Sequence, residues 1–213
     1  LPIYDIWKEI RGLIKGMIPK EWLTYRVNIH QKKIPMDLVD VLIQKGLAKR
    51  SGDDLQLQAE KLYAAKARFL DAYETRAILL MHELLDEYLL THPMIDENIY
   101  YALDEQYCVY SRQSREWLYE LTLRYQAFLQ ETGLLDENDL AREFLKKVSQ
   151  KEMALFDFVI ADEIQDLTEI QLYGLIRLVK NKNQLLFSGD INQTIRPTYF
   201  HTGRVESLLK TSN

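Results

Sequence analysis

Residues 156–171 of the sequence, FDFVIADEIQDLTEIQ, decide the fold together with residues 184–193, QLLFSGDINQ. The first six residues of the first stretch are mostly apolar, β-branched or aromatic, which is typical of a buried strand in a parallel sheet. Thr168 and Gln171 then form a capping box that begins a helix. The second stretch starts with another buried-strand candidate, so the order strand, helix, strand predicts one βαβ crossover between parallel neighbours.

The chain before residue 156 predicts one helix after another. Apolar residues recur there at three- and four-residue spacing, and Pro or Gly stands where several of these helices end. The expected helices span about 4–15, 35–46, 55–90, 95–108, 112–131 and 135–148. The third of them lacks Pro and Gly, which predicts one very long helix or two in tandem, ended by Pro93. The predicted fold is therefore mostly α with a small parallel α/β part.

The two predicted strands cannot form a stable doubly wound sheet by themselves. The remaining strands are expected from chain outside these 213 residues, unless the two strands pack against the helices as a remnant. The sequence also begins without Met and without the basic-then-apolar pattern of a signal peptide, which favours a segment cut from a longer protein.

The composition indicates a globular chain without a membrane span. Hydrophobic residues make up 47% and charged residues 28% of the sequence, which is ordinary for a folded protein. No apolar run approaches the roughly 18 residues that cross a bilayer. The single cysteine, Cys108, cannot form an internal disulfide, which favours a reducing cytoplasm. The histidines have no metal-ligand spacing, so no zinc site is expected.

Two further features bear on nucleic-acid binding. The net charge is -5, yet residues 1–50 hold 10 Lys and Arg against 5 Asp and Glu. Such a basic segment can be a local phosphate-binding face, although it is more often a solvated helix surface. A set of aromatic residues is expected to be core packing, with a base-stacking surface as the alternative: Tyr100, Tyr101, Tyr107, Tyr110, Trp117 and Tyr119.

Asp162 and Glu163 directly follow the first predicted strand, where open parallel sheets bind their ligands. One carboxylate at such a place can hold the hydration shell of Mg2+, while its neighbour faces the phosphate and orients a water as base. The alternative is that both are solvated loop acids or partners of the dipole of the helix that begins at Thr168.

Polar residues around this pair make a catalytic role more specific. Gln165 and Asp166 complete the sequence DEIQD, and the second strand ends in Gly189-Asp190, followed by Gln193. An amide side chain both donates and accepts, so Gln193 can bond a terminal phosphate oxygen and report its presence. Glycine permits a tight turn at the end of the strand.

The stretch from about residue 125 to 205 resembles the UvrD/Rep-like branch of superfamily 1 DNA helicases. YQAFL at 125–129 and LDENDL at 135–140 resemble the stretch that precedes the Walker B strand of these helicases. FDFVIADEIQDLTEIQ resembles Walker B, or motif II, and LLFSGDINQTI at 185–195 resembles motif III. The earlier residues agree with the family only in being helical and in coming ahead of motif II.

The resemblance implies a division of the chain and a set of partners. Residues 1–132 would be a helical subdomain of the insertion type, and residues 133–213 a partial RecA-like (P-loop NTPase) domain. The complete protein would be an ATP-dependent DNA helicase that uses ATP and Mg2+ and moves along single-stranded DNA. This chain would contribute the magnesium-binding and water-activating half of the ATPase site.

The resemblance also assigns roles by position. Asp162 would bind Mg2+ through water, Glu163 would be the catalytic base, and Gln193 would sense the γ-phosphate. Gln165 and Asp166 would couple the nucleotide site to the DNA side. The residues expected around the nucleotide are Gln165, Asp166, Gly189 and Asp190.

The sequence departs from the family after motif III. The family commonly has Tyr-Gly-Trp-Arg there, with the Trp stacked on a base, whereas this chain has Arg196-Pro197-Thr198-Tyr199-Phe200. Thr198 occupies the Trp position, so Tyr199 or Phe200 is expected to supply the stacking surface beside Arg196. The alternative for Phe200 is a place in the core.

The sequence contains no G-x-x-x-x-G-K-[ST] phosphate loop and none of the later helicase motifs. By itself the chain is therefore expected to bind nucleotide weakly and to hydrolyse ATP negligibly. Two other functions stay open. One is a helicase-like scaffold without ATPase activity that binds protein or nucleic-acid partners, and the other is a two-metal nuclease, which would need further carboxylates at the same place.

Overall fold

The structure is a computed structural model that describes residues 1–18, 26–58, 71–108, 110–149, 155–193, 195–196 and 198–211. Its contacts divide the chain into two units, one of Leu1–Pro19 with Leu89–Asn213 and one of Lys20–Tyr88. The proposed boundary between a helical subdomain and a RecA-like domain at residue 132 stays a prediction. Within the described residues no helix is long and apolar enough to cross a membrane.

The described elements are mostly helical. In chain order they are α1 (Ile3–Lys8), a π-helix (Glu9–Ile14), β1 (Arg26–Asn28), α2 (Ile29–Lys32), α3 (Met36–Gln44), β2 (Ala48–Ser51), β3 (Asp54–Leu57), α4 (Ala72–Thr91), α5 (Glu97–Tyr101), α6 (Arg112–Thr132), α7 (Glu137–Ser149), β4 (Val159–Ala161), a 3-10 helix (Ile164–Asp166), α8 (Glu169–Leu178), a 3-10 helix (Lys182–Gln184), β5 (Leu185–Phe187), a 3-10 helix (Ile191–Gln193) and α9 (Thr202–Thr211).

The unit Lys20–Tyr88 contains a three-stranded antiparallel sheet in the order β1-β3-β2. Two short helices, α2 and α3, connect β1 to the β2–β3 hairpin. The last of the three strands in the chain, β3, lies in the middle of this sheet. The helix α3 packs through Leu38, Val39 and Leu42, which are buried at the spacing of one helical face.

The prediction of a helix that begins at residue 55 was wrong. Leu55 and Leu57 lie in β3 and are fully buried, while Gln56 between them is only half-buried. This two-residue period is that of a strand with one face on a core. The helix α4 begins only at Ala72, and residues 59–70 of the predicted helix lie outside the described residues.

The unit formed by both ends of the chain is helical around a buried core. The cluster combines the π-helix, the segment around α5 and the start of α6, and its buried members are Leu13, Ile14, Met17, Met94, Ile95, Tyr100, Cys108, Leu118 and Tyr119. Tyr100 and Tyr119 are therefore core residues, as expected, whereas Trp117 is 49% exposed. The predicted helix at 95–108 is shorter than expected, because α5 ends at Tyr101.

The long helix α6 has the caps that the sequence predicts. The Ser111 hydroxyl accepts from the Ser114 N–H at its start, and Gly133 has a left-handed backbone with φ 67° at its end. The helix α8 begins as the capping box predicts, since Gln171 Oε1 accepts from the Thr168 N–H at 2.8 Å. The Thr168 hydroxyl donates to Asn138 Oδ1 at 2.7 Å and so ties α8 to α7.

The predicted βαβ crossover is confirmed. The strands β4 and β5 are parallel neighbours, with Ile160 opposite Leu186, and α8 connects them. The expectation that both strands are buried was wrong for one face of this two-stranded sheet. Phe158, Ile160 and Leu186 are 63%, 71% and 55% exposed, because the described residues contain no further element that covers them.

Candidate active site

The candidate site lies at the carboxyl ends of β4 and β5. The Ser188 N–H donates to the Ala161 carbonyl at 2.9 Å, and the Ile164 N–H donates to the Ser188 carbonyl at 3.1 Å. These bonds extend the parallel ladder by one step beyond each strand and place Asp162 next to Ser188. Ligands of open parallel sheets bind at this edge, and the predicted residues of both strands meet there.

Asp162 is an exposed carboxylate that the structure keeps ionised. Its Oδ1 accepts from the Ser188 hydroxyl and from the Glu163 N–H at 3.0 Å. The hydrogen bond from Ser188, followed by the backbone bond, lowers the pKa of Asp162 below its ordinary value. Among the described residues its Oδ2 accepts no hydrogen bond, so an ionised oxygen is available to bind water of a hydrated Mg2+.

Glu163 has a backbone conformation that non-glycine residues rarely adopt. Its φ is 55° and its ψ is 37°, in the left-handed region, which costs an ordinary residue about 1–2 kcal/mol. Such strain persists only where the surrounding structure imposes it, and it concentrates at functional sites. Its side chain is exposed, and Oε2 accepts from Gln165 Nε2 at 2.5 Å.

Gln165 connects the two strand ends. It is completely buried, its Nε2 donates to Glu163, and its Oε1 accepts from the Asp190 N–H at 3.1 Å. A Cβ atom at Gly189 would overlap Gln165 Oε1, so glycine is needed there for close approach. The sequence predicts that Gly189 permits a tight turn, but Gly189 is not among the positive-φ residues, so close approach is the reason for glycine here.

The connection continues from Asp190 to Gln193. Asp190 Oδ2 accepts from Gln193 Nε2 at 2.9 Å, and Oδ1 accepts from the Asn192 N–H at 2.9 Å. The side chains of Glu163 and Gln193 are thus linked through Gln165 and Asp190. The structure therefore brings together the residues predicted as base and as phosphate sensor by a hydrogen-bonded path.

Asp166 holds the loop that follows. Its Oδ1 accepts from the N–H groups of Ile195 and Arg196 at 2.9 and 3.0 Å. The Arg196 guanidinium is exposed and pairs with Glu137, which also binds Arg11. Burial opposes ionisation of Glu137, but the two guanidinium groups outweigh it and lower its pKa. Glu137 is thus a carboxylate shared by two arginines.

Thr198, at the position of the family's Trp, and Tyr199, expected near nucleic acid, are both anchored inward. Thr198 is buried, and its hydroxyl bonds the Leu167 carbonyl at 3.3 Å. The Tyr199 hydroxyl donates to Glu9 Oε1 at 2.6 Å, and the Lys8 ammonium lies 4.3 Å from the centre of its ring. Phe200 is half-buried. A stacking role for Tyr199 or Phe200 stays a prediction.

The contacts of the N-terminal segment in this region were not predicted from the sequence. Arg11 and Lys15 belong to the basic stretch 1–50, yet they are 3% and 0% exposed and bind carboxylates of this chain, so neither contributes to a phosphate-binding face. Ser188 was also missed, although its place after β5 opposite Asp162 was a usable signal. No group of three or more His, Cys, Asp or Glu side chains gathers as a metal cluster within the described residues.

Comparison with known families identifies the family of this chain. Residues 24–213 match the UvrD/REP helicase N-terminal domain. The chain belongs to the UvrD/REP helicase family. It is also similar to the human TPR and ankyrin repeat-containing protein 1, with 26% identity over 106 residues, which are 49% of this chain and 4% of that protein. No solved structure gives a match.

Membership of the UvrD/REP family fits a mostly helical chain with a small parallel sheet. The matched range contains Asp162 and the whole path from Glu163 to Gln193, whereas α1 and the π-helix lie before it.

Proposed function

We propose that this chain supplies the magnesium-binding and water-activating half of the ATPase site of a DNA helicase. The observation that carries the proposal is the hydrogen-bonded path from Glu163 through Gln165 and Asp190 to Gln193. Through this path a movement of Gln193, the proposed phosphate sensor, shifts the carboxylate of Glu163, the proposed base. A pair of solvated loop acids has no need of it.

The roles follow from the geometry of the carboxyl ends. Bound Mg2+·ATP supplies a polarised γ-phosphate for attack by water. Asp162, ionised and exposed, binds the metal's water shell through its second oxygen. Glu163 accepts the proton of the attacking water, and the Gln165 amide orients its carboxylate. Gln193 is released from Asp190 when it bonds a phosphate oxygen.

The RecA-like assignment of residues 133–213 is part of the same proposal. Its support is the parallel pair β4–β5, joined by α8, with polar residues gathered at the carboxyl ends. A phosphate-binding loop and arginines from further chain complete the site in the full-length protein. Residues 1–132 then supply the insertion-type subdomain, which includes the sheet β1-β3-β2.

Single-stranded DNA is the proposed track. The loop that bears Arg196 and Phe200 follows Gln193 directly, and Asp166 holds its first amides. Arg196 is only three positions after Gln193, so DNA that displaces this loop also moves Gln193. The guanidinium group of the exposed Arg196 can leave Glu137 and bind a phosphate of the DNA backbone instead.

The alternative is a helicase-like scaffold that binds partners without hydrolysis. Its support is the human relative, whose name contains TPR and ankyrin repeats, and repeat arrays of these kinds form extended binding surfaces. Against it stands the strained Glu163, because a site without chemistry gains nothing from a left-handed glutamate.

The test is ATP hydrolysis by the full-length protein with Mg2+, with and without single-stranded DNA. DNA should stimulate the wild type, and Glu163→Gln should lower kcat by about 10²–10⁴-fold, as expected for loss of a general base. Asp157→Asn is the matched control, since Asp157 is an exposed carboxylate at the other end of the same strand region. If the folded wild-type protein hydrolyses no ATP, the proposal is wrong and the non-catalytic scaffold is the function.

A further inference from the structure

We propose that residues 3–18 form an N-terminal clamp that positions the loop 195–200 and thereby sets how strongly DNA acts on the ATPase site. The proposal rests on the proposed function and adds a regulatory part to it. The clamp consists of α1, the π-helix and the residues that follow, and it precedes the matched family range, which begins at residue 24.

The clamp contains three fully buried charged side chains. Glu9, Arg11 and Lys15 are 0%, 3% and 0% exposed, although buried charges are costly unless they are paired and hydrogen-bonded. Lys15 Nζ bonds Gln126 Oε1 at 2.5 Å and Asp139 Oδ2 at 3.0 Å, which fixes the clamp to α6 and α7. The other two charges are directed to the site.

Arg11 reaches the motif II segment. Its Nη2 donates to the Asp166 carbonyl at 3.0 Å and to Glu137 Oε2 at 2.7 Å. The carboxylate of the same Asp166 holds the Ile195 and Arg196 amides. Arg11 therefore fixes the residue that anchors the beginning of the loop.

Glu9 holds the end of the loop. Its Oε1 accepts from the Tyr199 hydroxyl at 2.6 Å and its Oε2 from the Tyr100 hydroxyl at 2.8 Å. The thiol of Cys108 donates to the same Oε2 at 3.4 Å. Burial, with the adjacent carboxylate, raises the pKa of Tyr199, Tyr100 and Cys108, so all three keep their protons and donate.

Gly12 lets the backbone of the loop approach the π-helix. A Cβ atom at this position would lie 3.0 Å from Tyr199 Cδ2, 3.2 Å from the Tyr199 nitrogen and 3.3 Å from Thr198 Cα. Two of these are backbone atoms, which cannot move without displacing the loop. Irregular π-turns of this kind frequently occur at functional sites.

The clamp therefore grips the loop at its beginning, through Arg11 and Asp166, and at its end, through Glu9. Gln193 lies two residues before Ile195, so the placement of the phosphate-facing amide depends on the same grip. Glu9, Arg11 and Gly12 are positioning residues, since none of them belongs to the path at the strand ends. DNA that binds Arg196 or Phe200 can move the loop only by weakening the contacts of Arg11 and Glu9 that hold it.

The test is Gly12→Ala in the full-length protein, with Gly174→Ala as the matched control. Both changes add one methyl group to a helical glycine, but Cβ at Gly174 meets only the Phe144 ring, at 3.2 Å and 3.4 Å. Two measurements are made. One is hydrogen exchange of the Ile195 and Arg196 amides, and the other is the DNA concentration that half-maximally stimulates ATP hydrolysis.

Gly12→Ala should raise exchange of the two amides about tenfold, as expected for a locally weakened structure, and should shift the half-maximal DNA concentration severalfold. Gly174→Ala should change neither. Unchanged exchange in Gly12→Ala would overturn the clamp. Altered exchange with an unchanged DNA response would overturn its role in regulation.

Glu9→Gln keeps the proposal testable should Gly12→Ala misfold. It preserves the size of the side chain but removes the charge that accepts from both tyrosines, so exchange of the same amides should again rise. The exchange result needs no ATP hydrolysis. A protein that hydrolyses no ATP would therefore overturn the proposed function, while exchange still decides whether the clamp exists.

Discussion

The backbone strain of the candidate site lies at Glu163. Its left-handed backbone allows the chain to turn directly after β4, so that Asp162, Glu163 and Gln165 all lie at the strand ends. The two carboxylates were predictable from their place directly after a strand. The strain was not, because a left-handed glutamate has no signature in the amino-acid pattern.

The strain at Glu163 predicts an inverted order of stability for two substitutions. In an ordinary position Gly is less stable than Ala by roughly 0.5–1 kcal/mol, but at φ 55° Ala keeps the steric penalty that Gly lacks. Glu163→Gly should therefore be more stable than Glu163→Ala by about 1 kcal/mol. Urea unfolding of the two variants measures the difference, and a more stable Ala variant would contradict the strain.

Ser188 should control the ionisation of Asp162. The pKa of Asp162 is lowered first by the Ser188 hydroxyl, so the contact stabilises the fold above the ordinary aspartate pKa of about 3.9. This contribution is lost as the pH falls through the lower folded value. NMR titration of the Asp162 carboxyl carbon should show a higher pKa in Ser188→Ala and no change in the control Ser111→Ala.

The buried charges of the N-terminal segment show why contacts distant in sequence escaped sequence analysis. Arg11 pairs with Glu137 across 126 positions and Lys15 pairs with Asp139 across 124 positions. Composition shows only that residues 1–50 are basic. Whether a Lys or Arg in this segment is solvated or paired depends on the tertiary fold, and Arg11 and Lys15 are both paired.

At the scale of elements, the βαβ crossover was predictable because its signals are local. The capping box and the apolar strands lie within about 33 residues, which suits a crossover of this length. The sheet of residues 26–57 was not predicted, since β1 and β3 are short and pair across a stretch that contains two helices. Leu55 and Leu57 alternate with glutamines, yet they continue into a helix-like apolar pattern.

The tight contact between the two strand ends predicts the effect of Gly189→Ala. The added methyl group overlaps Gln165 Oε1, and the buried amide must leave its place and lose its bonds to Glu163 and Asp190. Unfolding experiments should show a loss of about 1–3 kcal/mol, and ATP hydrolysis of the full-length protein should fall with it.

Gly203→Ala is the control for this prediction, because a Cβ atom there meets only the exposed His201 ring. Its stability should stay within about 0.5 kcal/mol of the wild type. Equal stability of Gly189→Ala and wild type would show that Gln165 does not bridge the strand ends.

At the scale of the whole molecule, the candidate site carries an excess of negative charge. Asp162, Glu163, Asp166 and Asp190 lie around it, and the Arg196 and Arg11 guanidinium groups are held by Glu137. A triphosphate brought to these carboxylates is repelled unless cations accompany it. The family resemblance implies that those cations are Mg2+ and the lysine of a phosphate loop. This sequence does not contain such a loop.

The 213-residue chain should therefore bind Mg2+·ATP only weakly. Calorimetric titration of the chain is expected to give a Kd above about 1 mM, equivalent to less than about 4 kcal/mol of binding free energy. The full-length protein is the comparison. The proposed function expects it to bind much more tightly, because it assigns to further chain a phosphate loop that neutralises the β- and γ-phosphates. Micromolar binding by the chain alone would contradict the division of the site, since these carboxylates would then have a cationic partner within the 213 residues.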